Sequence, residues 1–175
     1  MRRIIPILSL LCLGFFLPDT ALSGQIQTRY ATIVYDDMDD LREFNDELYM
    51  SSLRSLMRGS TDTVQEEVAA KIDVIVEKTM KVLDMFPRPF QFSIEIHPSE
   101  RSVQDAFRRI YAVDVDYIAF YSPSKDTVFY SAGNGILRVV THEIAHVVVE
   151  HYFQISPPQR IHEVMAQFAE RHITD

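Results

Sequence analysis

The run Val139-Val140-Thr141-His142-Glu143-Ile144-Ala145-His146-Val147-Val148 is an H-E-x-x-H sequence set among uncharged, mostly aliphatic neighbours at helical spacing. On a helix, residues four apart stand one turn above each other, so His142 and His146 can aim two ring nitrogens at one metal ion. Glu143, beside the first histidine, can reach a metal-held water and act as its general base. The aliphatic flanks imply a buried helix, in which three polar side chains need partners. A metal ion supplies them; the alternative is a core helix whose histidines are satisfied by ordinary hydrogen bonds.

Upstream of this helix, the loop Gly133-Asn134-Gly135 leads into it, and residues 117–121 and 127–130 read as two strands around Pro123-Ser124-Lys125-Asp126, a hairpin. Residues 90–97 alternate apolar and polar, as a half-buried strand does, and Ser99 caps a helix expected to run through Tyr111. Residues 30–35 are β-branched and aromatic and read as a further strand. Met38, Leu41, Phe44, Leu48, Leu53 and Leu56 then follow at roughly helical spacing until Arg58-Gly59-Ser60 breaks the pattern. A second framework helix opens near Thr61 or Asp62 and stops before Pro87. Downstream, Ser156-Pro157-Pro158 ends a connection and a last helix runs from about Gln159 to His172.

Length and composition set the remaining bounds. A chain of 175 residues suits one domain with a real core. Arg2 and Arg3 precede an apolar run, residues 4–17, and Ala21-Leu22-Ser23 precedes Gly24, the pattern of a secretory signal peptide over residues 1–23. The run is too short and too early for a convincing membrane span, so the expected product is an exported domain of residues 24–175, periplasmic or extracellular, with no stable span after cleavage. Cys12, the single cysteine, lies in that run, which leaves the mature domain without disulfides or thiolate ligands. With 25 acidic against 17 basic residues, a formal charge of −8 and no basic stripe, no nucleic-acid partner is expected.

Catalytic zinc takes three protein ligands and keeps a fourth position open. Beyond His146 the residues able to serve are Glu150, His151, His162, Glu163, Glu170 and His172. Glu150 shares a face with the two histidines, but one straight helix does not easily wrap three ligands around a tetrahedral ion, so the third should come from another element. The run Ile161-His162-Glu163-Val164-Met165-Ala166-Gln167-Phe168 resembles the second motif of gluzincin metallopeptidases, in which a glutamate on a following helix is the third ligand and an alanine stands three residues later. The order of elements is also similar to that of the compact peptidase-MA-like, or minigluzincin, group. The resemblance implies Glu163 as third ligand, with His162 its rival. It also implies Gln167, four residues further on, in the place of the acid that supports the first histidine; Val164 departs from the small residue usual after the ligand.

The expected fold is therefore α+β: a compact zincin-like domain with a small mixed sheet packed on the H-E-x-x-H helix and a following glutamate-bearing helix. The expected function is that of an exported zinc metallopeptidase: His142, His146 and Glu163 hold Zn²⁺, and Glu143 takes the proton of a zinc-bound water that attacks a peptide carbonyl. Tyr152, His151 and His162 are within range as oxyanion donors, unranked by sequence. The peptide or protein substrate is expected to lie along a sheet edge supplied by residues 117–121 or 127–130. Larger gluzincins continue into a subdomain that closes the cleft, so the resemblance implies an open site, acting on a restricted target or completed by a partner protein. The alternative function is a secreted zincin-like binding module in which zinc is structural and nothing is turned over.

Overall fold

The computed structural model describes residues 24–57 and 61–175; the signal-peptide reading, Cys12 and the expected break at Arg58-Gly59-Ser60 lie outside them. Five strands form one mixed sheet: β1 (Gly24–Gln27), β2 (Ala31–Tyr35), β3 (Phe92–His97), β4 (Ala119–Ser122) and β5 (Thr127–Ser131). Their order is β1-β2-β3-β5-β4. The β2–β3 and β3–β5 pairs are parallel, and the two outer pairs are antiparallel. The helices are α1 (Met38–Glu47), α2 (Val64–Leu83), α3 (Glu100–Tyr111), α4 (Leu137–Tyr152) and α5 (Gln159–His172).

Strands β2 and β3 bury every second residue, and the register lines up Ile33, Ile94 and Val128, then Tyr35, Ile96 and Tyr130, across one face. That face meets the main core with Leu41, Phe44, Ile72, Ile75, Val140 and Ile144 from the helices. On the opposite face Phe120 and Phe129 stack at 4.6 Å beneath Val103 and Ala106 of α3. Strand β5 is thus covered on both faces, which is why all five of its residues are buried. The α+β architecture expected from the sequence is the one observed, with the H-E-x-x-H helix packed on this sheet; the following glutamate-bearing helix packs on α4 and α2 rather than on the strands.

Local chemistry sets the helix limits. Thr63 and Glu66 form a reciprocal capping box at the start of α2, and Ser99 and Ser102 do the same for α3. The helix begun at Met38 does not continue to Leu56: α1 ends at Glu47 and a 3-10 turn covers Ser51–Leu56. Lys71 Nζ donates to the Asn45 carbonyl at 2.8 Å, the acceptor that a continuing helix would offer to Tyr49. Ser51 then turns the chain in the left-handed region, at φ 46°. Strand β1 was not anticipated; its single buried residue, Ile26, is held by pairing with β2.

One bond ties the sheet to α4. The fully buried Tyr130 hydroxyl donates to the Val140 carbonyl at 3.0 Å, two residues before His142. Tyr130→Phe should lower the unfolding free energy by about 1 kcal/mol, read as a reduced urea midpoint at unchanged slope; an unchanged midpoint would mean that this bond does not anchor the helix.

Candidate metal centre

Helix α4 carries the motif on the side facing α5. Buried Val140, Ile144, Val147 and Val148 belong to the main core, whereas Ala145 meets Ala166 and Ala169 of α5, all three fully buried. Three methyl groups at the crossing let the helices approach closely. Glu163, one turn before Ala166, is thereby brought against the two histidines.

The ligand atoms of His142, His146 and Glu163 all lie within 4.8 Å of one another. His142 Nε2 and His146 Nε2 are 3.2 Å apart, and the Glu163 oxygens stand 3.5 Å from the first and 3.6 Å from the second. A tetrahedral ion with bonds of 2.0–2.1 Å spaces its ligands by roughly 3.3 Å. The donor set and its spacing thus fit one metal ion. Gln159 Nε2 donates to Glu163 Oε1 at 2.8 Å, fixing the carboxylate from one turn earlier on α5.

Glu170 lies two turns beyond Glu163 on the same face of α5. Its Oε2 is 3.0 Å from His142 Nδ1, and its Oε1 accepts from Arg138 at 2.9 Å. A carboxylate only accepts, so His142 carries its proton on Nδ1 and keeps the Nε2 lone pair for a metal. Burial alone would raise the Glu170 pKa, but hydrogen bonds from Arg138 and His142 outweigh it and hold the carboxyl below its usual range. Here the reading of Gln167 is corrected: Gln167 is exposed, and the support of the first histidine comes from Glu170, three residues later. The i, i+7 spacing of Glu163 and Glu170 was the available signal.

The other sequence candidates fall outside the ligand set. His162 Nε2 is 3.3 Å from both Glu150 Oε2 and Ser156 Oγ, which engages Glu150 as well. His151 Nε2 lies 2.8 Å from Asp126 Oδ1, to which Tyr121 also donates its hydroxyl. Tyr152 is exposed and packs edge-on against Phe153.

Burial pushes the His146 pKa down to about 3, helped by the neighbouring rings of His142 and His162, so this side chain is neutral and free to ligate. Burial also raises Glu143, and the charge of Glu163 adds to it; a hydrogen bond from the Tyr121 backbone N–H opposes both, leaving the carboxyl at about 8. A pocket of about 390 Å³ opens beside Glu143, walled by Ile118, Ala119, Ile136 and Val139, with Arg138 and Glu170 at its polar side.

Substituting Ala for His142, His146 or Glu163 should abolish binding of one metal equivalent in a calorimetric titration, whereas Glu143→Gln should retain it. Glu170→Ala should weaken affinity by about 10–100-fold; undiminished affinity in the Glu163 variant would assign the third ligand elsewhere. In metal-free protein, Glu143 binds its proton more tightly folded than unfolded. Its contribution to stability is complete below pH 4.5 and lost as pH rises through about 8. With chelator present, wild type should therefore lose thermal stability relative to Glu143→Gln across that window; parallel melting curves would contradict the assignment. The chain matches no family model, no curated protein and no solved structure.

Proposed function

We propose that this chain is a zinc-dependent metallopeptidase of the gluzincin type, exported and acting on peptide or protein substrates. The observation that carries the reading is the convergence of three N/O ligand atoms within 4.8 Å of one another, with a half-buried carboxyl, Glu143, at their side. Zinc held by His142, His146 and Glu163 would polarise a carbonyl and bring the pKa of water towards neutrality.

Glu143 does the proton work. Low polarity and the charge of Glu163 raise its proton affinity, which suits a group that accepts a proton from attacking water and passes it to a leaving amine. His142 is held in the ligating tautomer by Glu170, and Arg138 holds Glu170 in turn.

The substrate is held by the open side of β4. Ser131 N–H bonds to Ile118 C=O, so alternation along the antiparallel pair turns Phe120 and Ser122 towards β5 and leaves the Ala119 backbone groups and the Tyr121 carbonyl open, while the Tyr121 N–H is held by Glu143. An extended peptide can add there as a further strand, with one apolar side chain in the pocket lined by Ile118, Ile136 and Val139. Of the two strands considered for this role, β5 is internal and β4 is the edge.

A binding module with a structural zinc is the competing reading, and closed four-ligand sites are the rule for such zinc. The three ligands here, with Glu163 two-fifths exposed, favour catalysis. Zinc-loaded protein should cleave unfolded polypeptides beside apolar residues, and Glu143→Gln should lower kcat at least 100-fold with zinc still bound. Full zinc occupancy without cleavage of any peptide in a diverse library would turn the assignment to the module.

A further inference from the structure

Large apolar side chains are exposed along the end of α4, the turn after it and one face of α5. Tyr152, Phe153 and Ile155 occupy the end of α4 and the turn after it, and Ile155 is 86% exposed, more than any other large apolar residue described. Ile161, Val164 and Phe168 follow on α5, within about 60° of one another around the helix, and are exposed by 42–59%. No charge occurs in residues 152–159. Single exposed apolar residues are ordinary, but six of them within residues 152–168 point to a contact surface.

Charge decides what the surface meets. The chain is acidic overall, at −8, yet the acids of this region are engaged with protein partners: Glu150 with His162 and Ser156, Glu163 with the histidine pair, Glu170 with His142 and Arg138. Arg160 and Arg171 remain as exposed charges on α5, next to the apolar stripe. An uncharged aromatic and aliphatic tip beside outward-facing arginines suits the boundary of an anionic bilayer, while the acidic remainder is repelled from it and turns this end towards the lipid. Among the described residues no helix is long and apolar enough to cross a membrane, so attachment through them would be peripheral.

We propose that the Tyr152–Ile155 tip and the Ile161-Val164-Phe168 face of α5 form a peripheral docking surface for anionic lipid. Glu163 is on the same helix, so docking holds the metal centre within about one helix diameter, ~10 Å, of the bilayer surface. The surface is independent of whether the centre hydrolyses anything.

The test uses the full chain with Cys12→Ser and a polarity-sensitive fluorophore on Ile155→Cys, compared with the same label on Tyr49→Cys, at a residue 74% exposed in the connection after α1. With equimolar phosphatidylglycerol and phosphatidylcholine vesicles, the label at position 155 should shift to the blue and brighten while that at position 49 stays unchanged. Phe153→Ser should weaken the lipid titration about tenfold. Arg160→Gln and Arg171→Gln should each weaken it about fivefold, an effect lost at high salt. An unchanged label at position 155, or equal shifts at both positions, would overturn the proposal. So would a shift at position 155 that grows with protein concentration in the absence of lipid, because a second copy would then cover the surface.

Discussion

The close approach of α4 and α5 is the constraint on which the candidate site depends. Ala145, Ala166 and Ala169 leave no side-chain bulk at the crossing, and only that contact brings a carboxylate from one helix to within 3.6 Å of both histidines of the other. Two turns further along the same face, Glu170 meets His142, so the same approach sets the histidine tautomer. From the other side Tyr130 pins α4 to the sheet through Val140. Position, donor chemistry and protonation state thus follow from one packing contact and one buried hydrogen bond.

The groups around the site divide the chemical work by environment. His146 is held neutral by burial, Glu170 is held ionised by two hydrogen-bond donors, and Glu143 is pushed towards the protonated form. Carboxyls on adjacent helices therefore have opposite tendencies, the pattern expected where one orients a ligand and the other moves a proton. The β4 backbone and the apolar pocket lie against Glu143, so the group proposed to accept the proton is also beside the edge proposed for the substrate.

Much of this was legible in the residues. The spacing of His142 and His146 predicts two ligands on one face, the alternation in residues 90–97 predicts a half-buried strand, observed over Phe92–His97, and Ser99 marks the start of α3 where it is found. Glu163 emerged from its likeness to a family motif, and Ala166 is a residue whose size the crossing exploits. What was not legible depends on contacts distant in sequence. Lys71 ends α1 by taking a carbonyl 26 residues away. The support of His142 by Glu170 depends on how α5 crosses α4; the i, i+7 spacing puts Glu170 on the face of Glu163 but does not by itself say that this face meets His142. Strand β1 has one buried residue and exists because β2 offers it an edge.

The most direct measurement is X-ray absorption at the zinc edge on the stoichiometrically loaded chain. The account predicts four light-atom ligands at about 2.0–2.1 Å, with the multiple-scattering signature of two imidazoles that falls to one in His146→Ala. A shell of six oxygens, or an imidazole signal unchanged by that substitution, would mean that the metal binds elsewhere and that the convergence of His142, His146 and Glu163 has another cause.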